Sequence, residues 1–97
     1  MKIIEYSISS LVHIKSEITK LSPLQVENKS NNYSVVIPIL ISSVPDDIMF
    51  IAENMLIPPQ STGSYYPKFV KLGGTTFSNF IAPGKLSGIT INLIVFD

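Results

Sequence analysis

Apolar and polar positions alternate along this chain in short runs. Lys2 to Ile8 sets Ile4, Tyr6 and Ile8 on one face, and Val12 to Thr19 sets Val12, Ile14 and Ile18 against His13, Lys15, Glu17 and Thr19. A period of two is the signature of a half-buried strand. Leu24 to Glu27 is a shorter run. Tyr33 to Ile41 is apolar on both faces, which predicts cover on both sides. Pro38 lies inside it and cannot donate to a ladder, which places the stretch at an edge or a bulge. Ile48 to Ala52, Tyr65 to Leu72, Thr75 to Ala82 and Ile89 to Phe96 complete a set of about eight short strands, the pattern of a sandwich or jelly roll.

The turns between these runs have their own chemistry. Ser22-Pro23, Asn28 to Asn32, Ser42 to Asp47, Pro58 to Gly63, Gly73-Gly74 and Pro83-Gly84-Lys85 carry the Gly, Pro, Asn, Asp and Ser that initiate or tolerate turns. Two segments also fit helix. Leu11, Ile14, Ile18 and Leu21 make a helical stripe behind Ser10, although the β-branched Val12, Ile14, Ile18 and Thr19 favour strand. Pro45-Asp46-Asp47 resembles a helix start for Asp46 to Met55, with carboxylates at the positive end of the dipole. The expected fold is all-β: one small antiparallel β-sandwich or jelly-roll-like domain over residues 1–97.

Composition narrows the function classes. Of 97 residues, 14% are charged, with no Cys, no Trp and one His; an average soluble domain has about 25% charged residues. Seven basic and seven acidic residues cancel, and no basic run exists, so no nucleic-acid partner is expected. The absence of Cys excludes disulfides, thiolate catalysis and Cys-based zinc sites. The most apolar stretch, Val35 to Ile41, is far short of the roughly 20 residues of a membrane-spanning helix. Glu5 follows Met1-Lys2-Ile3-Ile4 at once, so no signal-peptide core develops. A surface this poor in charge fits a subunit whose neighbours cover part of it.

Candidate chemistry is sparse. His13 sits on a polar strand face with no required nucleophile or carboxylate beside it, and reads as an exposed strand residue. With one His and no Cys, a transition-metal site would need carboxylate ligands. The adjacent Asp46-Asp47 pair lacks a calcium-loop pattern and reads as a turn or cap. Gly73-Gly74-Thr75-Thr76 leads into a strand pattern rather than a helix, which favours a β-turn over a phosphate loop. No catalytic residue, cofactor or metal is therefore expected, and the chain reads as a non-enzyme. Asn28-Lys29-Ser30 and Asn32-Tyr33-Ser34 match the N-glycosylation triplet, a match that Asn- and Ser-rich chains produce by chance. Tyr65 and Tyr66, beside the polar Pro58 to Ser64 loop, can stack on sugars or anchor a protein. Ile89, Ile91, Leu93 and Val95 form one apolar face, and Ile94 and Phe96 turn the second face apolar near the end.

The carboxy-terminal third runs Gly73-Gly74-Thr75-Thr76-Phe77, Asn79-Phe80-Ile81-Ala82-Pro83-Gly84 and Ile89 to Val95. It resembles the small β-sandwich virion proteins of phages and archaeal viruses, of the decoration, capsid-fibre or tail-accessory kind. The resemblance implies a structural subunit made in the host cytoplasm and destined for a virion or other extracellular assembly. Its partners would be copies of itself as a homo-oligomer, larger virion proteins, or both. Val36, Leu40, Tyr65, Tyr66, Ile94 and Phe96 are the candidate interface. The alternative is a carbohydrate-binding or adhesin-like module that uses Tyr65 and Tyr66.

Overall fold

A computed structural model describes residues 1–72 and 85–97. The expected strand Thr75 to Ala82, the Gly73-Gly74 and Pro83-Gly84 turns and the Gly73 to Thr76 loop lie outside the described residues. The remainder is all-β, with no helix. Its strands are β1 (Lys2–His13), β2 (Thr19–Lys20), β3 (Leu24–Asn28), β4 (Ser34–Leu40), β5 (Ile48–Ile51), β6 (Met55–Ile57), β7 (Ser61–Tyr65), β8 (Lys68–Lys71) and β9 (Lys85–Phe96). They form three antiparallel sheets, ordered β1-β9-β4-β6, β2-β8-β5 and β3-β7.

The long β1–β9 ribbon sets the shape. Twelve residues in each strand span roughly 40 Å at about 3.3 Å per residue, and the described residues extend 52 × 21 × 17 Å. The ribbon carries one irregularity. Ile8 pairs with Ile89 and Leu11 with Ser87, so Ser9 and Ser10 bulge opposite Gly88. Gly88 has φ 95°, a conformation that L side chains rarely adopt. Through it, Leu86 joins Ile89 on the buried face although the two are an odd number of residues apart.

The expected second strand divides at this point. Val12 and His13 belong to β1, residues 14–18 are not strand, and Thr19–Lys20 forms β2. The Lys15 amide donates to Thr19 Oγ1 at 2.9 Å, a local bond that competes with extended pairing. Ile14 turns into the core, whereas Ile18 is exposed. The helical alternatives do not form. Asp46 and Asp47 lie in a turn closed by the Ile48 amide on Pro45 O at 3.0 Å, and Ile48 opens β5.

One core joins the inward faces of all three sheets. Ile89, Ile91, Leu93 and Val95 of β9 are buried as their alternation requires, beside Tyr6 and Val36. Phe69, on the central strand of its sheet, is fully buried, with its ring 5.2 Å from that of Phe50. Tyr6 and Tyr65 meet edge to face at 6.5 Å, and Tyr6 donates to Ser22 O at 2.7 Å. Gly63 lets β7 close on β6: a Cβ there would lie 3.1 Å from Ile57 Cγ1 and 3.2 Å from Met55 Sδ. Past Val36, β4 has no β6 partner, so Pro38 breaks no ladder on that side. Beyond β4, Ile41 and Ser42 donate to Thr90 O, and Ser42 Oγ accepts from the Thr90 amide at 2.6 Å.

Asn28 is the polar knot of the fold. It is 2% exposed. Its amide nitrogen donates to the carbonyls of Asn32, Pro58 and Ile57 at 2.7, 3.0 and 3.1 Å. Its oxygen accepts from the Ser30 amide and hydroxyl at 3.0 and 2.7 Å. One side chain thereby ties the end of β3 to the 30–32 turn and to the β6–β7 connection. A buried amide engaged in this way is closed to glycan attachment, so the triplet at Asn28 has no use in the folded chain. Asn32, by contrast, is exposed.

Candidate functional site: an apolar sheet face and a cleft

The four-stranded sheet has one face in the core and one outside, and register decides which residues go where. Ser34 pairs with Ile57, Val36 with Met55 and Val95, and Leu40 with Ile91. These point inward. Val36 has no exposed surface, and Leu40 packs against the core. The protein's own interior covers Val36 completely and Leu40 in part. The outward face of β4 is Val35, Ile37 and Ile39.

Two rungs of this outer face are wholly apolar. Leu56, Val35 and Phe96 form one across β6, β4 and β9; Ile37, Ile94 and Ile3 form the next across β4, β9 and β1. The Ile39 rung then turns polar at Asn92 and Glu5. Ile41 continues the apolar edge just beyond β4. Among these, Ile3, Ile39, Ile41, Leu56 and Phe96 are between 42% and 61% exposed. At about half of a roughly 200 Å² side chain each, they present on the order of 500 Å² of apolar surface, near the top of the range for a monomer's largest patch. Ile94 and Phe96 therefore belong to one exposed surface with Val35, Ile37 and Leu56. The sequence leaves open whether Val36 and Leu40 or Val35 and Ile37 face outward, and pairing decides for Val35 and Ile37; Leu56 is the residue the sequence reading missed.

The tyrosines lie elsewhere. Tyr65 ends β7, is 5% exposed and packs on Tyr6, whereas Tyr66 is 44% exposed. Both line a cleft of about 180 Å³ where the three sheets meet, together with Glu53, Asn54, Met55 and Lys68. Lys68 and Glu53 form an ion pair on its wall. The Tyr65 hydroxyl is buried without a hydrogen-bond partner among the described residues. Burial, then the neighbouring Tyr6 and Glu53, push its pKa up to about 12; burial also raises that of Tyr6.

His13 is exposed at the end of β1, opposite Lys85. Asp47 lies 3.9 Å from Lys71 Nζ, and its carbonyl accepts from the Leu72 amide. No group of three His, Cys, Asp or Glu side chains that could hold a metal occurs among the described residues. No helix there is long and apolar enough to cross a membrane.

No protein-family model, curated protein or solved structure matches the chain.

Proposed function

We propose that this chain is a non-enzymatic structural subunit that associates with a second copy of itself through the outer face of β1-β9-β4-β6. The observation that carries this reading is the pair of uninterrupted apolar rungs, Leu56-Val35-Phe96 and Ile37-Ile94-Ile3. The virion setting adds the turn chemistry of the carboxy-terminal third and the low charge of the whole chain.

The face selects its partner by what it lacks. It carries no charge until Glu5, so a strongly charged partner gains nothing from it. Two copies related by a twofold axis would pack sheet on sheet about 10 Å apart, and the sandwich of this reading arises between chains. Burying roughly 500 Å² per copy removes about 1,000 Å² in all, which reaches the lower bound of a specific protein–protein interface.

The sheet edge is the less suitable route. β1 is a long edge strand, but its regular part Lys2 to Ile8 is centred on Glu5. An antiparallel pairing of two such segments about that centre sets Glu5 against Glu5, and the Ser9–Ser10 bulge interrupts any longer pairing.

Sedimentation equilibrium tests the proposal. The wild-type chain is expected as a dimer or higher closed oligomer at about 0.1 mM, a concentration that reveals even micromolar affinity. Leu56→Glu with Ile39→Lys is expected to yield a folded monomer with an unchanged β spectrum. A wild-type chain that stays monomeric, or a substituted chain that keeps the wild-type mass, overturns it.

A further inference from the structure

The cleft between the three sheets has the components of a small-ligand site. Its walls come from four places in the chain: Ile51 at the end of β5, Glu53-Asn54-Met55 leading into β6, Ser64-Tyr65 on β7, and Tyr66 and Lys68 around the start of β8. Ladders on both sides hold it, since β5 pairs with β8 and β7 with β3. Its floor is apolar where Ile51 and Met55 contribute. Its rim is polar where Glu53, Asn54, Ser64 and Lys68 contribute.

We propose that this cleft binds one neutral sugar ring. Three features select that class. The exposed ring of Tyr66 offers a flat apolar platform, which suits the C–H face of a pyranose. Glu53 supplies a carboxylate that accepts from hydroxyls, Lys68 an ammonium that donates to them, and Asn54 an amide that does both. A vicinal diol can use all three. Glu53 and Lys68 already neutralise each other in an ion pair, so the site favours neither an anion nor a cation. The volume of about 180 Å³ lies below the roughly 300–1,000 Å³ of sites for drug-sized ligands, which limits the occupant to about one ring.

The Tyr65 hydroxyl supports the same assignment. It is buried and unpartnered on a residue that lines the cleft. A buried polar group in that state needs an explanation, and a small turn of the ring toward the cleft would let a ligand hydroxyl partner it.

The test is saturation-transfer NMR on the full chain with glucose, galactose, mannose and N-acetylglucosamine, each at about 10 mM to reveal millimolar affinities. Glycerol and N-acetylneuraminic acid serve as further arms. At least one neutral sugar should receive saturation and shift amides at residues 53–55 and 64–68. Tyr66→Ala should weaken that binding about tenfold, while Tyr66→Phe should retain it. Tyr66 lies outside the core cluster, so both variants should fold, which the wild-type amide spectrum elsewhere would confirm. The proposal is overturned if no neutral sugar binds, if only the anionic sugar does, if glycerol binds as well as the sugars, or if Tyr66→Ala binds like wild type. Each outcome is independent of the oligomeric state.

Discussion

Replacing Asn28 by Asp changes one atom's chemistry and little of its shape. The oxygen that accepts from Ser30 stays. The nitrogen that donates to the carbonyls of Asn32, Pro58 and Ile57 becomes a second oxygen, facing acceptors at about 3 Å. Asn28→Ala, the control, removes the donors without adding charge. An unsatisfied buried carbonyl costs about 1–3 kcal/mol, and water reaches the part-buried ones, so the control should lose about 2–3 kcal/mol. At pH 7 Asn28→Asp also buries an anion against three carbonyls, and the loss should rise to about 3–5 kcal/mol. Small domains have about 5–15 kcal/mol in all. The pH dependence has a definite sign. Burial and the three carbonyls raise the new carboxyl's folded pKa above its unfolded value of about 3.9. Between those values the native state holds a proton that the unfolded state has lost, so stability falls as pH rises through that window. Urea unfolding followed by circular dichroism at pH 4 and pH 7 should place wild type above Asn28→Ala and Asn28→Ala above Asn28→Asp at pH 7. The gap between the two variants should narrow at pH 4. An Asn28→Asp chain as stable as wild type at pH 7 would refute the knot.

Gly63→Ala should cost about 1–3 kcal/mol through contact with Ile57 and Met55. Gly88→Ala meets nothing closer than Ile8 O at 3.7 Å, so its loss of about 1–2 kcal/mol would come from backbone strain alone; thermal melts that show no loss in either would contradict the assigned roles. Tyr65→Phe removes an unpartnered buried hydroxyl and should leave stability at pH 7 unchanged or higher. Tyr65 titrates near 12 in the folded chain and near 10 in the unfolded one, so wild-type stability should fall as pH rises across that interval. Tyr65→Phe should flatten that fall, and an identical alkaline slope in both chains would count against the buried phenol. Deleting Ile91 to Asp97 removes Ile91, Leu93 and Val95 from the core, at about 1.5–3 kcal/mol each, and should abolish cooperative melting.

The strands that could be read from the sequence were those with an apolar face of their own. Ile89, Ile91, Leu93 and Val95 announce β9, and Ile4, Tyr6 and Ile8 announce the start of β1. β7 was not legible, because Ser61-Thr62-Gly63-Ser64 has the composition of a loop. It is a strand because β3 pairs along its whole length and Gly63 admits the side chains of β6. β6 was hidden for a related reason: Met55-Leu56-Ile57 is too short to show a period. Asn28 looked like a turn residue or a chance glycosylation triplet. Its partners lie up to 30 residues away, and no local pattern encodes them.

The exposed face shows where local reading stops and pairing takes over. In β4 both faces are apolar, so alternation alone cannot say whether Val36 and Leu40 or Val35 and Ile37 lie outside. β9 breaks the tie. Its odd-numbered positions are uniformly aliphatic from Ile89 to Val95, whereas its even-numbered ones begin with Thr90 and Asn92; the odd face must be the buried one. Ile94 and Phe96 then point outward. Once Val35 pairs with Phe96 and Ile37 with Ile94, residues side by side across a ladder share a face, and Val35 and Ile37 must point outward too. A slip of one residue in that register would instead expose Ser34, Val36, Pro38 and Leu40 and bury Val35, Ile37 and Ile39. The association surface is therefore a consequence of the β4–β9 register. A substitution that shifted this register would replace the β4 part of the surface without changing any residue on it.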